Sequence, residues 1–385
     1  MLNLSERVRW LRGVVKSEMG LVYTTLGTTG SSFLGGLFWL VLASFLDVES
    51  YGLVNYFIAL GSVFSALALL GLDSTVITFL AKGEKKIVFQ ANSLVLFSGL
   101  SACLVLSVFQ WESGILSAAM VFFMMSIAEV LGRKKYGEFA LLSIGQRFVQ
   151  ISLSLFLYFQ LGIMGIVLGY FLGNLIFSFR YFRILPNFSL NFDGIKEKRN
   201  FTLHNYGFNL IRNFTNYLDK IIIGPLFGYF VLGIYQLGFQ FYLFLSIIPL
   251  SLYYYLLPEE SSGKDKSKIK IVGFGLAVVA AVFAFFTLPY FIETLFPTFA
   301  SSVWVVRIMS LAVIPSTIVA IINASLLGRG RSKYVFVAGL IYLVSVIVGV
   351  LVLGEAMGAM GLAVTLVVAQ SIQAGFLLTK RKVAA

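Results

Sequence analysis

The stretch NFTLHNYGFNLIRNFTNYLDKIIIG, which runs from Asn200 to Gly224, decides how the rest of the chain is understood. On a helical wheel, at about 100° per residue, its polar side chains gather in one stripe roughly 120° wide. The opposite side of the wheel is apolar. A surface helix of a soluble protein has the same pattern. The rest of the sequence must therefore show whether this helix lies in a soluble protein or in a membrane. The polar stripe holds Asn205, Asn209, Arg212, Asn213, Asn216, Asp219 and Lys220.

The composition of the whole chain is that of a membrane protein. Hydrophobic residues make up 59% of it and charged residues only 12%, whereas soluble domains are about half apolar and a quarter charged. The single cysteine, Cys103, excludes a disulfide framework. The single histidine, His204, excludes a site with several histidine ligands, so we expect neither a metal nor a bound cofactor.

Twelve apolar segments are each long enough to cross a hydrocarbon core about 30 Å thick. The sequence therefore predicts an all-α polytopic membrane protein with twelve transmembrane helices. No cleavable signal peptide is expected, because the basic N-terminus leads straight into a first span that many others follow. The predicted spans are residues 20–46, 51–80, 88–110, 114–132, 138–160, 163–182, 202–226, 230–258, 270–292, 301–327, 334–353 and 358–379.

The basic residues predict the orientation of these spans. All but four of the 29 lysines and arginines lie in the terminal arms and in the loops on one side. The loops on the other side hold only acidic charges, such as Asp47 and Glu112. By the positive-inside rule, we expect the chain to lie in the inner membrane of the cell with both termini in the cytoplasm. The rule also explains the net charge of +12, so we expect no binding to nucleic acid. The basic clusters are Arg7–Lys16, Lys82–Lys86, Arg133–Lys135, Arg180–Arg199, Lys264–Lys270, Arg329–Lys333 and Lys380–Lys382.

The four remaining basic residues, Arg147, Arg212, Lys220 and Arg307, lie inside predicted spans. At 1.5 Å per residue, Arg147 and Arg212 lie about 15 Å in from the cytoplasmic edge. Charges at such depths are costly and usually face a water-filled cavity or a partner. The alternative is that the two arginines pair with carboxylates and only hold helices together.

Three acidic residues also lie within spans, namely Asp73, Glu129 and Asp219. Burial raises the affinity of a carboxylate for a proton, so each is a candidate to carry a coupling proton or sodium ion. The alternative for Asp73 and Glu129 is a solvated position at the cytoplasmic rim. For Asp219 it is a structural pairing with Arg147 or Arg307, because neighbours in sequence such as Lys220 do not face one another on a helix.

The chain also repeats itself. Leu131-Gly132-Arg133 recurs as Leu327-Gly328-Arg329, and at the same offset Gly162-Ile163-Met164-Gly165 recurs as Gly358-Ala359-Met360-Gly361. We therefore expect two parallel six-helix halves around a central cavity: residues 1–184, a cytoplasmic linker 185–200, and residues 201–385. Tyr51-Gly52-Leu53 and Leu232-Gly233-Ile234 begin the second span of each half. Three glycines, Gly165, Gly169 and Gly173, form a close-packing ridge, and three prolines, Pro249, Pro289 and Pro315, interrupt spans of the second half.

Six short motifs lie at or near the ends of predicted spans, namely Ala43-Ser44-Phe45-Leu46, Tyr51-Gly52, Gly71-Leu72, Asp219-Lys220-Ile221-Ile222-Ile223-Gly224, Leu232-Gly233-Ile234-Tyr235 and Pro258-Glu259-Glu260-Ser261. These motifs resemble those of the polysaccharide flippases of the Wzx type. These flippases belong with the MATE drug exporters and the lipid II flippase in one superfamily, the MATE-like multidrug, oligosaccharidyl-lipid and polysaccharide exporters. The resemblance implies a carrier that moves polyprenyl-pyrophosphate-linked oligosaccharide from the cytoplasmic to the outer leaflet by alternating access.

The charged and amide residues suit such a substrate. Arginine binds phosphate through two parallel hydrogen bonds, and four basic residues in the spans favour an anionic ligand over a cationic one. Amides both donate and accept, as sugar hydroxyls require. We expect the protein to be a monomer. Its predicted partners are the lipid-linked oligosaccharide with its pyrophosphate, the membrane lipids, and a glycan polymerase or glycosyltransferases. The predicted substrate-binding residues are Arg147, Arg212, Lys220, Arg307, Asn209, Asn213 and Asn216.

Two other functions have to be weighed. A MATE-like antiporter of small molecules has the same architecture, and transport of organic cations would favour it. A membrane-embedded enzyme of glycan assembly needs catalytic groups held above the membrane. The predicted outer loops are only a few residues long, and no metal motif, phosphate-binding glycine loop or nucleophile elbow is present, so we do not expect an enzyme.

Overall fold

In the computed structural model, the described regular structure is entirely helical. The structure describes residues 4–263 and 266–382, and for residues 4–18, 185, 381 and 382 it describes the backbone alone. The basic side chains of Arg7, Arg9, Arg12, Lys16, Lys264, Arg381 and Lys382, which contribute to the predicted orientation, thus lie outside the described residues.

The helices follow the predicted spans closely. Two short 3-10 helices, Leu185–Asn187 and Pro297–Ser302, accompany the α-helices. The first nine α-helices are α1 (Leu4–Phe45), α2 (Val48–Leu69), α3 (Leu72–Ala81), α4 (Lys86–Phe109), α5 (Trp111–Gly132), α6 (Tyr136–Leu161), α7 (Ile163–Ile176), α8 (Phe179–Ile184) and α9 (Asp193–Glu197). The remaining seven are α10 (Arg199–Phe227), α11 (Tyr229–Leu245), α12 (Ile247–Ser261), α13 (Ser267–Leu295), α14 (Val303–Leu311), α15 (Val313–Gly328) and α16 (Ser332–Lys382).

The distribution of exposed side chains is the reverse of that in a soluble protein. Large apolar side chains such as Leu104, Phe286 and Tyr290 are 70%, 70% and 73% exposed, while charged Asp219 and Lys220 are buried. Nine helical stretches among the described residues are long and apolar enough to cross a membrane. An apolar exterior of this extent is stable only in lipid. The predicted all-α polytopic membrane fold is confirmed.

Two of the predicted spans lie outside these nine stretches for physical reasons. At 14 residues, α7 spans only about 21 Å. The 29-residue helix α10 is long enough, but the polar stripe of the opening sequence lowers its average hydropathy. Conversely, the 51 residues of α16 cover two predicted spans. Non-helical backbone angles at Gly358 separate these two spans.

The backbone has the same turn at two glycines that the sequence repeat aligns. Gly162 has φ 59° and ψ −139°, and Gly358 has φ 57° and ψ −137°, a region of backbone space that is essentially restricted to glycine. Each glycine turns the chain between two helical segments that then pack closely on each other. A Cβ added at Gly165 would lie 2.2 Å from the carbonyl oxygen of Leu157, and one at Gly361 would lie 1.8 Å from that of Leu353. The ridge glycines Gly165, Gly169 and Gly173 therefore permit α7 to pack against α6.

The chain folds into two compact units, called here the first and the second unit. The first consists of residues up to Phe38 together with Leu60–Asn213, and the second of Trp39–Ala59 together with the residues from Phe214 onward. Their borders fall inside α1, α2 and α10, and the linker 185–200 belongs to the first unit. The division into halves at this linker remains a prediction from the sequence repeat.

Within the second unit, α2 and α11 cross through two glycines that contact each other's helix reciprocally. A Cβ at Gly52 would lie 1.9 Å from the carbonyl oxygen of Tyr229, and a Cβ at Gly233 would lie 1.9 Å from that of Val48. Each glycine thus lies against the first residue of the other helix. This reciprocal contact follows the predicted alignment of Tyr51-Gly52-Leu53 with Leu232-Gly233-Ile234.

Substituting either crossing glycine is expected to destabilise the fold. Gly52→Ala and Gly233→Ala should each lower stability by about 1–3 kcal/mol, because the added methyl meets a backbone carbonyl that cannot move aside cheaply. Thermal unfolding of the purified protein in detergent measures the effect. Gly339→Ala on α16 is the matched control, since nothing lies within 4 Å of its added Cβ. Wild-type unfolding temperatures for both crossing variants would contradict the described contact.

Breaks in the second-unit spans follow from the position of proline. Proline has no N–H to donate to the carbonyl four residues earlier. The carbonyl released by Pro249 is that of Leu245, where α11 ends, and the carbonyl released by Pro315 is that of Leu311, where α14 ends. The third proline, Pro289, lies inside α13 without a break. In the first unit, the predicted span 51–80 divides at Leu70 and Gly71, which both have positive φ.

Candidate functional sites

Arg147 is held in the first unit by neutral groups. It lies in α6, about 17 Å along the helix axis from Tyr136. Its Nη1 donates to Oε1 of Gln150 at 2.8 Å and to the hydroxyl of Tyr170 at 3.4 Å. Among the described residues, no carboxylate pairs with it and its Nε has no hydrogen-bond partner. Its charge is therefore not neutralised by a fixed partner.

The backbone of α1 passes close to this guanidinium. A Cβ placed on Gly35 would lie 3.4 Å from Nε of Arg147. The amide of Gln146 donates to Oε1 of Gln150 at 3.2 Å, and both glutamines are buried. Together, Gly35, Gln146, Gln150 and Tyr170 position Arg147 without cancelling its charge. The two glutamines are not among the site residues predicted from the sequence. Two polar residues four apart in an apolar span are a signal that could have indicated them.

A second polar group in the first unit joins α3 to the first part of α10. Nδ2 of Asn209 lies 3.4 Å from each carboxylate oxygen of Asp73 and 3.2 Å from Oγ of Ser74. Arg212 is exposed and lies close enough to Asp73 for their charges to interact, but the two form no ion pair. The packing that brings these residues together starts at Gly71, where a Cβ would lie 2.6 Å from the carbonyl oxygen of Thr202.

The alternative of a solvated rim position does not fit either acidic residue of the first unit. Asp73 is 8% exposed and Glu129 is 3% exposed. Glu129 accepts a hydrogen bond from Arg133 at 2.5 Å and pairs with Arg180 at 3.4 Å. Arg180 also pairs with Glu138. Glu129 is thus part of an ion-pair network that links α5, α6 and α8.

The second unit contains a buried ion pair on α10. Nζ of Lys220 lies 3.1 Å from Oδ1 of Asp219 and donates to the carbonyl oxygen of Asn216 at 2.8 Å. The hydroxyl of Tyr235 on α11 donates to Oδ2 of Asp219 at 2.6 Å. Only 5% of Asp219 and 4% of Lys220 are exposed. Asn216 and Tyr235 therefore each hold one member of the ion pair in place.

Aromatic rings enclose this ion pair, which we call the Asp219–Lys220 cluster together with Tyr235. Nζ of Lys220 lies 4.0 Å from the ring centroid of Phe239, close enough for a cation–π interaction. The rings of Tyr235 and Phe239 are stacked with centroids 6.0 Å apart. Sequence reasoning missed both rings, because nothing in the sequence shows which side of α11 faces α10.

The expectation that Asp219 and Lys220 do not face one another is wrong. The backbone of neighbouring residues diverges on a helix, but the four-carbon chain of lysine is long enough to bend back to the preceding carboxylate. Asp219 therefore does not serve as the partner of Arg307. The guanidinium of Arg307 lies 4.7 Å from the ring centroid of Trp304 and 5.7 Å from that of Phe285.

The side chains of the two remaining predicted site residues take no part in these groups. Asn213 is partly buried at the end of the first unit, and Asn216 takes part only through its carbonyl oxygen. The structure thus groups Arg147 with its glutamines, groups Asp73 with Asn209 near Arg212, and groups Asn216 with Asp219 and Lys220. Among the described residues, no three histidine, cysteine or carboxylate side chains form a group that could hold a metal ion.

Solved structures similar to this chain are membrane transporters and a lipid flippase. An inward-facing multidrug-resistance MATE transporter of the MOP superfamily matches with a TM-score of 0.68 and 13% identity, over 94% of each chain. The lipid II flippase MurJ in an inward closed conformation matches with a TM-score of 0.64 and 16% identity, over 94% of this chain and 87% of that one. The chain has the MATE fold.

A third match extends the range of proteins with this MATE fold. The eukaryotic MATE transporter AtDTX14 matches with a TM-score of 0.54 and 15% identity, over 96% of each chain. No family model and no curated protein matches the sequence. The similarity therefore establishes the architecture, and the function has to be argued from the side chains.

Proposed function

We propose that this protein is a membrane transporter that moves polyprenyl-pyrophosphate-linked oligosaccharide from the cytoplasmic to the outer leaflet. The observation that carries the proposal is Arg147, a cation near the middle of a span that is positioned by amide and phenol groups and not by a carboxylate. Leaving a charge without a counter-ion inside a membrane protein is costly. Such a residue suits a ligand that brings the negative charge itself, as a pyrophosphate does.

The arrangement around Arg147 supports an anionic headgroup in particular. A guanidinium offers five N–H donors in a fixed plane, and Arg147 uses one of its terminal nitrogens for both of its protein contacts. Nε is buried against Gly35, and the second terminal nitrogen, Nη2, is available for the hydrogen bonds that phosphate oxygens accept. Arg212 and the amide of Asn209 provide a second group of donors in the same unit. Amides in this position suit sugar hydroxyls.

We also propose that transport is coupled to a proton or a sodium ion. Asp73 and Asp219 are the candidates, because both are buried and neither belongs to an extended network of arginines. Glu129 is committed to Arg133 and Arg180, which leaves it a structural role. We also propose that the protein lies in the inner membrane as a monomer with both termini in the cytoplasm, where glycan polymerase or glycosyltransferases can meet it.

The second candidate is an antiporter of small molecules. The match to an inward-facing MATE transporter favours it, since that structure and this chain each align over 94% of their length. Buried Asp73 would then bind an organic cation or a coupling ion, and neutralising Arg147 or Arg212 would leave transport intact. The two functions therefore make opposite predictions for the arginines.

Transport by the purified protein in lipid vesicles separates these functions. We expect movement of a fluorescent polyprenyl-pyrophosphate sugar between leaflets to fall about tenfold in Arg212→Ala, because one hydrogen bond to a charged group contributes about 1.5 kcal/mol or more. Lys333→Gln is the control, since it removes an exposed charge that has no described ion pair. If Arg212→Ala transports at the wild-type rate, the role assigned to Arg212 is wrong. Transport of organic cations in place of the lipid would establish the second candidate.

A further inference from the structure

An open cleft of about 720 Å³ lies in the first unit, at the end of α4 that we propose to be cytoplasmic. One side is formed by the turn that leads into α4, which carries Lys85 and Lys86, and by Gln90 one helical turn further on. The linker lies opposite and contributes Asn191 and Gly194. This cleft takes no part in the proposed transport sites.

The charge balance in the cleft is positive. The two acidic residues in its lining are each paired with a lysine: Glu84 with Lys198 at 3.5 Å, and Asp193 with Lys196 at 3.8 Å. Lys85 and Lys86 are exposed and form no ion pair among the described residues. They stand at the beginning of a 24-residue helix, where the helix dipole also attracts negative charge.

Gln90 provides an independent sign of a ligand. Its side chain is 8% exposed, and its Oε1 has no hydrogen-bond partner. The oxygen lies against Gly194, where an added Cβ would be only 2.7 Å away. A buried acceptor without a donor is unusual in a native fold and indicates that a further group completes it.

Apolar groups continue outward from this polar cleft. Phe188 and Leu190 in the linker are 42% and 70% exposed, and Leu190 directly precedes the lining residue Asn191. The ring of Phe188 packs edge to face on Phe97 of α4, which is 51% exposed. The linker is fixed to α4 by a hydrogen bond from the backbone N–H of Ser189 to Oγ of Ser93. A cationic cleft beside exposed apolar side chains suits an amphipathic ligand.

We propose that this cleft binds the headgroup of an anionic phospholipid from the cytoplasmic leaflet. Lys85, Lys86 and the first turn of α4 hold the phosphate, and Oε1 of Gln90 accepts a hydrogen bond from a hydroxyl of the headgroup. The acyl chains lie along Phe97, Phe188 and Leu190. Phosphatidylglycerol has this combination of phosphate, hydroxyl donors and apolar chains, whereas free phosphate lacks the chains.

Lipid binding to the full-length protein in detergent, measured by native mass spectrometry, tests the proposal. Phosphatidylglycerol should bind at least about tenfold more tightly than phosphatidylcholine. The Lys85→Gln, Lys86→Gln double variant should weaken phosphatidylglycerol binding by roughly 10- to 30-fold, since each basic residue at a membrane surface changes the affinity by roughly three- to fivefold. Gly194→Leu should block binding without changing any charge, because its side chain enters the cleft.

The control double variant Lys134→Gln, Lys333→Gln removes two exposed lysines that lie in other turns on the same predicted side. It should bind phosphatidylglycerol like the wild type. Equal weakening in this control would overturn the proposal in favour of general charge attraction. Displacement of the lipid by inorganic phosphate would overturn the assignment to a lipid. Wild-type binding by Gly194→Leu, in protein that unfolds at the wild-type temperature, would show that the cleft is not the site.

Discussion

Arg147→Ala is expected to reduce leaflet translocation of a polyprenyl-pyrophosphate sugar by about 10- to 100-fold. Hydrogen bonds to a charged group contribute about 1.5–3 kcal/mol, and each 1.36 kcal/mol is a factor of ten in rate. The guanidinium has no carboxylate partner among the described residues, so its full charge is available to the substrate. The effect should exceed that of Arg212→Ala, whose side chain is exposed and can be replaced by water.

Arg147→Lys should show which property of arginine is used. Lysine keeps the charge but offers a single ammonium group in place of the planar pair of donors. An intermediate rate is therefore expected, above that of alanine and below that of the wild type. The measurement is the initial rate of fluorescence loss when a reductant destroys the label in the outer leaflet of vesicles that hold equal amounts of protein.

Stability distinguishes a binding role of Arg147 from a structural one. If the arginine held helices together, its removal would lower the unfolding temperature. If the arginine instead binds an anionic substrate, its replacement by alanine removes a costly uncompensated charge from the empty protein. The unfolding temperature should then stay constant or rise. Slow transport together with a marked loss of stability would contradict the proposed role. Gln146→Leu is a suitable companion, because it removes one positioning glutamine and leaves the charge in place.

The sequence was sufficient to predict an all-α polytopic membrane fold because lipid imposes a simple rule on the length and composition of a span. Each span needs about twenty apolar residues, whereas the orientation that the basic clusters indicate stays a prediction. The glycine that turns the chain at Gly162 has its counterpart at Gly358 with nearly the same backbone angles, as the match of three residues in four between these segments indicates. Hydropathy alone does not identify α10 as a span. The polar stripe lowers its average hydropathy, and only the neighbouring spans indicate that α10 crosses the membrane.

The contacts within the sites could not be predicted in the same way. Which residue lies opposite Asp219 depends on the rotation of α11, and the sequence of an apolar helix leaves that rotation open. The contacts of Tyr235 with Asp219 and of Phe239 with Lys220 could therefore not be predicted, although the span that holds both aromatic residues was. The helix wheel also describes directions from the backbone only. Lys220 lies beside Asp219 on the wheel, but its flexible side chain reaches back to the carboxylate.

Breaking the Asp219–Lys220 cluster from either side is expected to be strongly destabilising. Asp219→Asn leaves a buried ammonium without its counter-ion, and Lys220→Met leaves a buried carboxylate supported only by Tyr235 and the backbone. Removing one partner of a buried ion pair typically costs about 3–5 kcal/mol. Chemical or thermal unfolding in detergent measures both variants. Gly339→Ala, which alters α16 away from any contact, is the control for handling and expression.

The double variant Asp219→Asn, Lys220→Met decides what the ion pair is for. With both charges gone, the stability should recover most of the loss, because a buried pair replaced by neutral groups is often close to neutral in free energy. If the pair only braces α10 against α11, transport should recover together with stability. If the pair must open during the transport cycle, so that Lys220 can meet an anionic substrate or Asp219 a coupling ion, the double variant will be stable and inactive. A double variant as unstable as the sum of the two single variants would show that the charges do not interact, against the 3.1 Å distance between them.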